Sequence, residues 1–147
     1  MSAVLAVLEQ RGGALRKVSY EAVTAARRLA DAAGGTVDAL VLAAGPNVHG
    51  CEDVGRFGAD RVLTAAHPAF ERYAPEGFAQ LIAARARAGG YDAVVLAASA
   101  TGRDLAPRVA AKLGVPLVAD VTDLSAADGA IVALRPVYAG KALLKVK

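Results

Sequence analysis

Along the first two thirds of this chain, short apolar runs of strand length alternate with stretches of helical periodicity, and that alternation leaves few folds open. Ala3–Leu8 is an unbroken apolar run closed by the polar turn Gln10-Arg11-Gly12-Gly13. Ser19 is placed to cap a helix over Tyr20–Ala33, in which Val23, Ala26, Leu29, Ala30 and Ala33 share one face and Gly34-Gly35 forms the stop. Thr36–Leu42 is a second strand rich in apolar residues, a short element covers Cys51–Phe57, and Arg61–Thr64 is a third strand. Pro75-Glu76 opens a helix that carries Phe78, Leu81 and Ile82 inward and ends at Gly89-Gly90; Ala93–Ala98 is a fourth strand. Strands buried on both faces read as continuous apolar runs, so this order predicts a parallel sheet with helices on both sides and right-handed crossovers.

A helix is expected over Thr101–Leu113, stopped by Gly114, with Pro107 inside it. An interior proline removes a backbone donor and clashes with the preceding turn. Either the helix proper begins near Asp104 or it bends at Pro107. From Pro116 onward the pattern changes to strands without helices between them: Leu117-Val118, Val121–Leu124, Ala130–Pro136 and Ala142–Val146, with Asp128-Gly129 as a hairpin turn. The 147 residues show no internal repeat, low-complexity tract or dividing linker and are expected to form one α/β domain. With 55% hydrophobic and 21% charged residues the chain has a core to bury; only 5% are aromatic and about a quarter are Ala, so that core is built of Ala, Val and Leu.

The same numbers exclude several function classes. The net charge is +3, and the longest basic run is Arg27-Arg28, so the basic stripe of a nucleic-acid binder is missing, as is an aromatic stacking platform. A lone cysteine, Cys51, cannot form an intramolecular disulfide and fits a reducing compartment. His49 and His67 lie far apart without Cys-x-x-Cys spacing, which argues against structural zinc. No basic lead precedes the first apolar run and no run approaches about eighteen residues, so neither a secretory signal nor a membrane span is expected.

Most chemical motifs are also absent. No two glycines are spaced i and i+2, which removes the Gly-x-Gly-x-x-Gly dinucleotide fingerprint. Gly45/Gly50 and Gly50/Gly55 have P-loop spacing, but Cys51 and Arg56 stand where Lys is required, and there is no Gly-x-Ser-x-Gly elbow around Ser99. Cys51 has no charge cluster to activate it, and His67 before Pro68 belongs in a solvated loop. Asp120 and Asp123, three apart on an expected strand, point to opposite faces and make no paired-carboxylate site. Tyr138 is expected to bury its ring and keep its hydroxyl wet.

One segment has chemical character: Ser99-Ala100-Thr101-Gly102-Arg103-Asp104, at the carboxyl end of the fourth strand and the start of a helix. Open α/β sheets bind ligands there, next to the switch in strand order. If the strand order is 3-2-1-4, the turn Glu9–Gly13 faces the same crevice. Helix N–H groups, the Ser99 and Thr101 hydroxyls, the Gly102 backbone and the Arg103 guanidinium form a candidate phosphate cradle. The competing reading has Thr101 and Asp104 as a capping pair with Arg103 at a surface or interface.

The run Thr101-Gly102-Arg103-Asp104-Leu105-Ala106-Pro107-Arg108-Val109-Ala110-Ala111-Lys112-Leu113-Gly114, with Asp120-Val121-Thr122-Asp123, Arg135-Pro136-Val137-Tyr138-Ala139-Gly140 and the opening Val4–Glu9, resembles the alpha subunit of electron transfer flavoprotein end to end. Lys141 departs from it, standing where most members have Asn. The resemblance implies a Rossmann-like, adenine nucleotide alpha hydrolase-like three-layer sandwich whose parallel sheet is extended by C-terminal antiparallel strands. It implies that residues 1–147 are the single N-terminal α/β domain, without the C-terminal flavin domain that makes most FAD contacts. No catalytic or metal residue is implied, and no flavin motif has counterpart positions here, so FAD is expected in the full-length parent and not on this chain alone. The implied partners are the family's beta subunit, the chain's own C-terminal flavin domain, acyl-CoA and other soluble dehydrogenases, and a membrane quinone reductase. The beta subunit holds a structural AMP partly through an Asn-Gln-Thr-Gly stretch. Ser99-Ala100-Thr101-Gly102 matches it with both amides lost, which implies weak or no AMP binding. Twelve Arg against five Lys suggest a GC-rich bacterium and hence the cytoplasm. The alternative is a stand-alone adenine-nucleotide-binding stress-type module, whose usual glycine-rich phosphate loop near the C-terminus is not visible.

Overall fold

A computed structural model describes residues 3–147. The element order is β1 (Ala3–Val7), β2 (Gln10–Arg11), β3 (Ala14–Leu15), α1 (Val18–Asp31), β4 (Thr36–Ala43), β5 (Arg61–Ala66), α2 (Pro75–Gly89), β6 (Ala93–Leu96), α3 (Ala100–Leu113), β7 (Asp123–Ala127), β8 (Ala130–Val137) and β9 (Ala142–Val146), with 3₁₀ turns at Cys51–Phe57 and Pro68–Phe70. The main sheet is parallel, in the order β5-β4-β1-β6. Numbered by appearance in the parallel sheet, that is the 3-2-1-4 order.

The alternation of strand side chains decides the layers. Val4, Ala6, Val37, Ala39 and Val41 pack against Ala22, Val23, Ala26 and Leu29 of α1 on one face. Leu5, Val7, Leu40 and Leu42 pack against Ala79 and Ile82 of α2 and Leu105 and Val109 of α3 on the other. Many of these contacts are alanines, which let helices sit close to the sheet. The three-layer α/β sandwich expected from the sequence is present.

Several local expectations are corrected. Ser19 does not cap α1: it lies inside the first turn, 1% exposed, where its hydroxyl donates to the Glu9 carbonyl (3.0 Å) and accepts from the Glu9 N–H (2.8 Å). A tertiary partner outcompetes the local cap. The polar turn after β1 is a two-residue hairpin joining β2 and β3, with Gly12 and Gly13 at φ 60° and 82°, a pair of conformations that glycine adopts freely. Helix α3 runs unbroken through Pro107 from its N-cap Ser99, so it does not begin near Asp104. Leu117-Val118 is an exposed, irregular segment and not a strand. The antiparallel strands form a sheet of their own, β7-β8-β9, hydrogen-bonded among themselves and not to the edge of the parallel sheet. Leu124 and Ile131 from that sheet join the core beside α1. Tyr138 is 81% exposed at the β8–β9 turn, with φ 53°, so its ring is not buried.

At the amino ends of the parallel strands a charged group is built into the sheet. Asp38, 3% exposed on β4, accepts from Arg61 Nε (2.9 Å) and Nη2 (2.6 Å) and from the Tyr91 hydroxyl. Arg85 in turn donates to Tyr91 (3.3 Å) and lies over its ring. The Arg61 hydrogen bonds outweigh burial and hold the Asp38 carboxyl below its ordinary value. Asp38→Asn is expected to cost about 2 kcal/mol in urea denaturation at neutral pH. Because the folded-state pKa is the lower one, the contribution is whole above the unfolded value of 3.8 and disappears as pH falls through the folded one. A variant whose deficit stays constant through that acid window would refute the assignment.

Candidate functional site

The carboxyl ends of β1 and β6, with the start of α3, enclose a cavity of about 340 Å³ at the strand-order switch. Val7, Leu8, Leu42, Leu96 and Leu105 give it an apolar lining, and Arg11, Arg16, Glu71 and Arg72 give it a charged one. The Glu9–Gly13 turn and the start of α3 do meet at one crevice, as the strand order requires.

The four sequence candidates are divided by the structure. Thr101 and Gly102 line the cavity. Ser99 is the N-cap: its Oγ accepts from the Gly102 N–H (3.1 Å) and donates to the Glu9 carboxylate. Arg103 is not brought to the cavity; it is exposed and pairs with Asp120 (3.2 Å), in the segment after α3. Asp104 is not a partner of Thr101 either. It accepts from the Tyr73 hydroxyl (2.6 Å) and pairs with Arg108 (3.4 Å). Tyr73 is pushed well above the usual tyrosine range, by burial first and then by donating to Asp104, so it stays a neutral donor. Asp123 pairs with Arg28 on α1, far from any role shared with Asp120. His67 is exposed and caps a 3₁₀ turn through Nδ1, while burial pushes the Cys51 thiol pKa up and keeps it a poor nucleophile.

Gly102 is required by a close approach. A Cβ there would lie 1.8 Å from the Ala97 carbonyl oxygen, so α3 starts hard against the end of β6. That proximity brings the helix terminus to the floor of the crevice.

Three residues to which the sequence reading gave no side-chain role in the site shape it. Glu9, with its side chain 11% exposed, takes Arg16 Nη1 at 3.1 Å on Oε2 and Ser99 on Oε1. Gln10 ties the first turn to its surroundings, donating to the carbonyls of Leu42 (3.3 Å) and Phe70 (3.4 Å) and accepting from the Gly13 N–H (3.0 Å). Phe78 meets Phe70 and Tyr73 edge to face, at 5.3 and 5.2 Å, making an aromatic side wall. The available signal was Glu9 itself, the first charge after a run of six apolar residues.

A family model described as "Electron transfer flavoprotein domain" matches residues 4–147. The chain belongs to the electron transfer flavoprotein family. Among its relatives, the electron transfer flavoprotein subunit alpha of Bacillus subtilis (strain 168) is 34% identical over 97% of this chain and 43% of its own length. Protein FixB of Clostridium saccharobutylicum is 37% identical over 94% and 41%. The acryloyl-CoA reductase electron transfer subunit beta of Anaerotignum propionicum is 32% identical over 79% and 31%. The chain thus spans about two fifths of the length of the first two relatives. Several alpha subunits match over nearly all of it, which ties this electron transfer flavoprotein domain to the alpha side of the family.

Gly102→Ala is expected to cost about 3 kcal/mol in chemical denaturation, because backbone must move. Ser99→Ala, which removes a cap, is expected to cost about 1 kcal/mol. Equal effects would mean that the close approach does not set the position of α3.

Proposed function

We propose that residues 1–147 are the amino-terminal scaffold and subunit-interface domain of the alpha subunit of an FAD-containing, heterodimeric electron carrier. The observation that carries this reading is the family match over residues 4–147, with alpha subunits aligned along nearly the whole chain. The domain itself performs no catalysis; the parent takes electrons from soluble dehydrogenases, acyl-CoA dehydrogenases among them, and passes them to a quinone reductase. The acryloyl-CoA reductase relative supports an acyl-CoA-linked donor. Among the described residues no helix is long and apolar enough to cross a membrane, which is compatible with a place in the bacterial cytoplasm.

The crevice residues do not fit FAD. A cavity of about 340 Å³ cannot bury most of a dinucleotide, and a carboxylate, Glu9, stands at the helix start where a pyrophosphate would need donors. The few contacts this wall offers would not offset the freedom a large flavin loses on binding. We therefore assign the flavin to a domain outside these residues, with the beta subunit as partner. The interface in this reading includes the β7-β8-β9 sheet and the segment before it. Leu143 and Tyr138 are 68% and 81% exposed there, and Leu117, Val118 and Leu144 are also exposed.

Purified residues 1–147 are expected to be colourless after dialysis against buffer, with flavin absorbance returning only when the downstream domain and beta subunit are supplied. Stoichiometric flavin kept by this chain alone would sink the reading. Light scattering should show a complex with the beta subunit, or self-association without it, and replacing Leu143 and Leu144 with Ser should weaken either. A chain that stays monomeric and ignores the beta subunit would count against the scaffold role.

A further inference from the structure

We propose that Glu9 is an internal counter-anion that occupies the phosphate position of the crevice and bars phosphate-bearing ligands from it. The start of an α-helix attracts negative charge because its first N–H groups point outward unpaired. In this crevice that charge is supplied by the chain. Ser99 Oγ accepts a hydrogen bond from the Gly102 N–H and donates one to Glu9 Oε1, so the carboxylate is linked to the helix start through one hydroxyl. Its second oxygen takes Arg16 at 3.1 Å.

The carboxylate is held there by a rigid base. The Glu9 N–H donates to Ser19 Oγ (2.8 Å), and the Glu9 carbonyl accepts from that hydroxyl (3.0 Å) and from the Arg16 N–H (2.9 Å). Ser19 is 1% exposed within α1, so three elements fix one residue: β1, α1 and α3. The opposite side is equally fixed, since Gly102 leaves no room for α3 to move toward β6. An incoming phosphate would have to compete for Ser99 and Arg16 with a carboxylate already bonded to both. Two like charges at contact distance in a poorly solvated site repel strongly. Arg11 and Arg72, also on the cavity wall, are exposed to solvent, which screens their charge. The loss of two amides relative to an adenylate-binding stretch is thus half of the explanation; the other half is a charge already in place.

The test compares the wild-type chain with Glu9→Gln and Glu9→Ala, titrated with inorganic phosphate and then AMP while the Gly102 amide is followed by heteronuclear NMR. The backbone bonds to Ser19 and Arg16 do not use the carboxylate, so both variants keep the turn. The wild type should show no saturable shift at Gly102, and each variant should bind phosphate at least about tenfold more tightly. Micromolar AMP binding by the wild type, or a folded variant whose Gly102 amide ignores phosphate, would overturn the proposal. If a variant is unfolded, it is titrated in the same way: millimolar phosphate that restores a cooperative melt where chloride at equal ionic strength does not supports the assignment, and phosphate that leaves it unfolded, or acts no better than chloride, refutes it. None of these readouts involves flavin or a partner, so they stand apart from the electron-carrier reading.

Discussion

Val4 to Val7 have no wet side: each is at most 4% exposed, with α1 against alternate residues and α2 and α3 against the rest. A strand in that position needs a neighbour on both edges for its backbone groups and a helix over both faces for its side chains. Parallel neighbours satisfy the first need, and the right-handed crossovers that join them supply the second. It follows that every parallel strand ends on the same side of the sheet, where the helices that follow begin. The crevice is therefore a consequence of burying β1, and its position owes nothing to a ligand.

The two ends of that sheet solve one electrostatic problem in two ways. Each places a carboxylate in a poorly solvated position, where an unpaired charge is costly. At the amino end Asp38 is neutralised across the strand by Arg61, two residues in register on adjacent strands, and capped by Tyr91. At the carboxyl end Glu9 has Arg16 on one oxygen and the start of α3, through Ser99, on the other. The first arrangement is closed, because Asp38 is 3% exposed and both its carboxylate oxygens are taken by Arg61 and Tyr91. The second borders an open space of about 340 Å³.

What could be read from the sequence was what depends on local pattern. The parallel strands, α2 with its Pro75 start and the glycine stop at Gly114 follow from periodicity and punctuation, while the strand order entered only as a condition that the structure meets. Three of the misreadings share one cause, a partner beyond the local window of the chain. Ser19 has the right residue type for a cap but finds Glu9 ten residues back. Arg103 sits at a helix start, where an anion site was expected, and turns outward to Asp120. Ser99 was weighed as a nucleophile and as a ligand donor; its partner Glu9 is ninety residues away, beyond any spacing rule. Tyr138 has an aromatic ring that composition would bury, yet it occupies a turn of three successive left-handed residues, Tyr138, Ala139 and Gly140, which holds it out in solvent.

The end of α3 at Gly114 marks a division within the chain. Up to Gly114 the apolar side chains are largely taken up by two cores that share the sheet. Beyond it, residues 114–120 are exposed throughout and β9 is exposed at four of its five positions, among them Leu143 and Leu144. The β7-β8-β9 sheet touches the main body through α1, with Leu124 and Ile131 in the core and the Arg28–Asp123 pair at 3.6 Å beside it. An antiparallel sheet held on one side, with apolar residues on its far strand, is anchored well enough to keep its shape and still leaves surface to bury. On the proposed reading the two parts divide the labour: the parallel layers supply rigidity with a crevice closed to anions by Glu9, and the late strands supply the surface a partner covers. The domain then contributes position instead of chemistry, and the redox group it positions lies elsewhere.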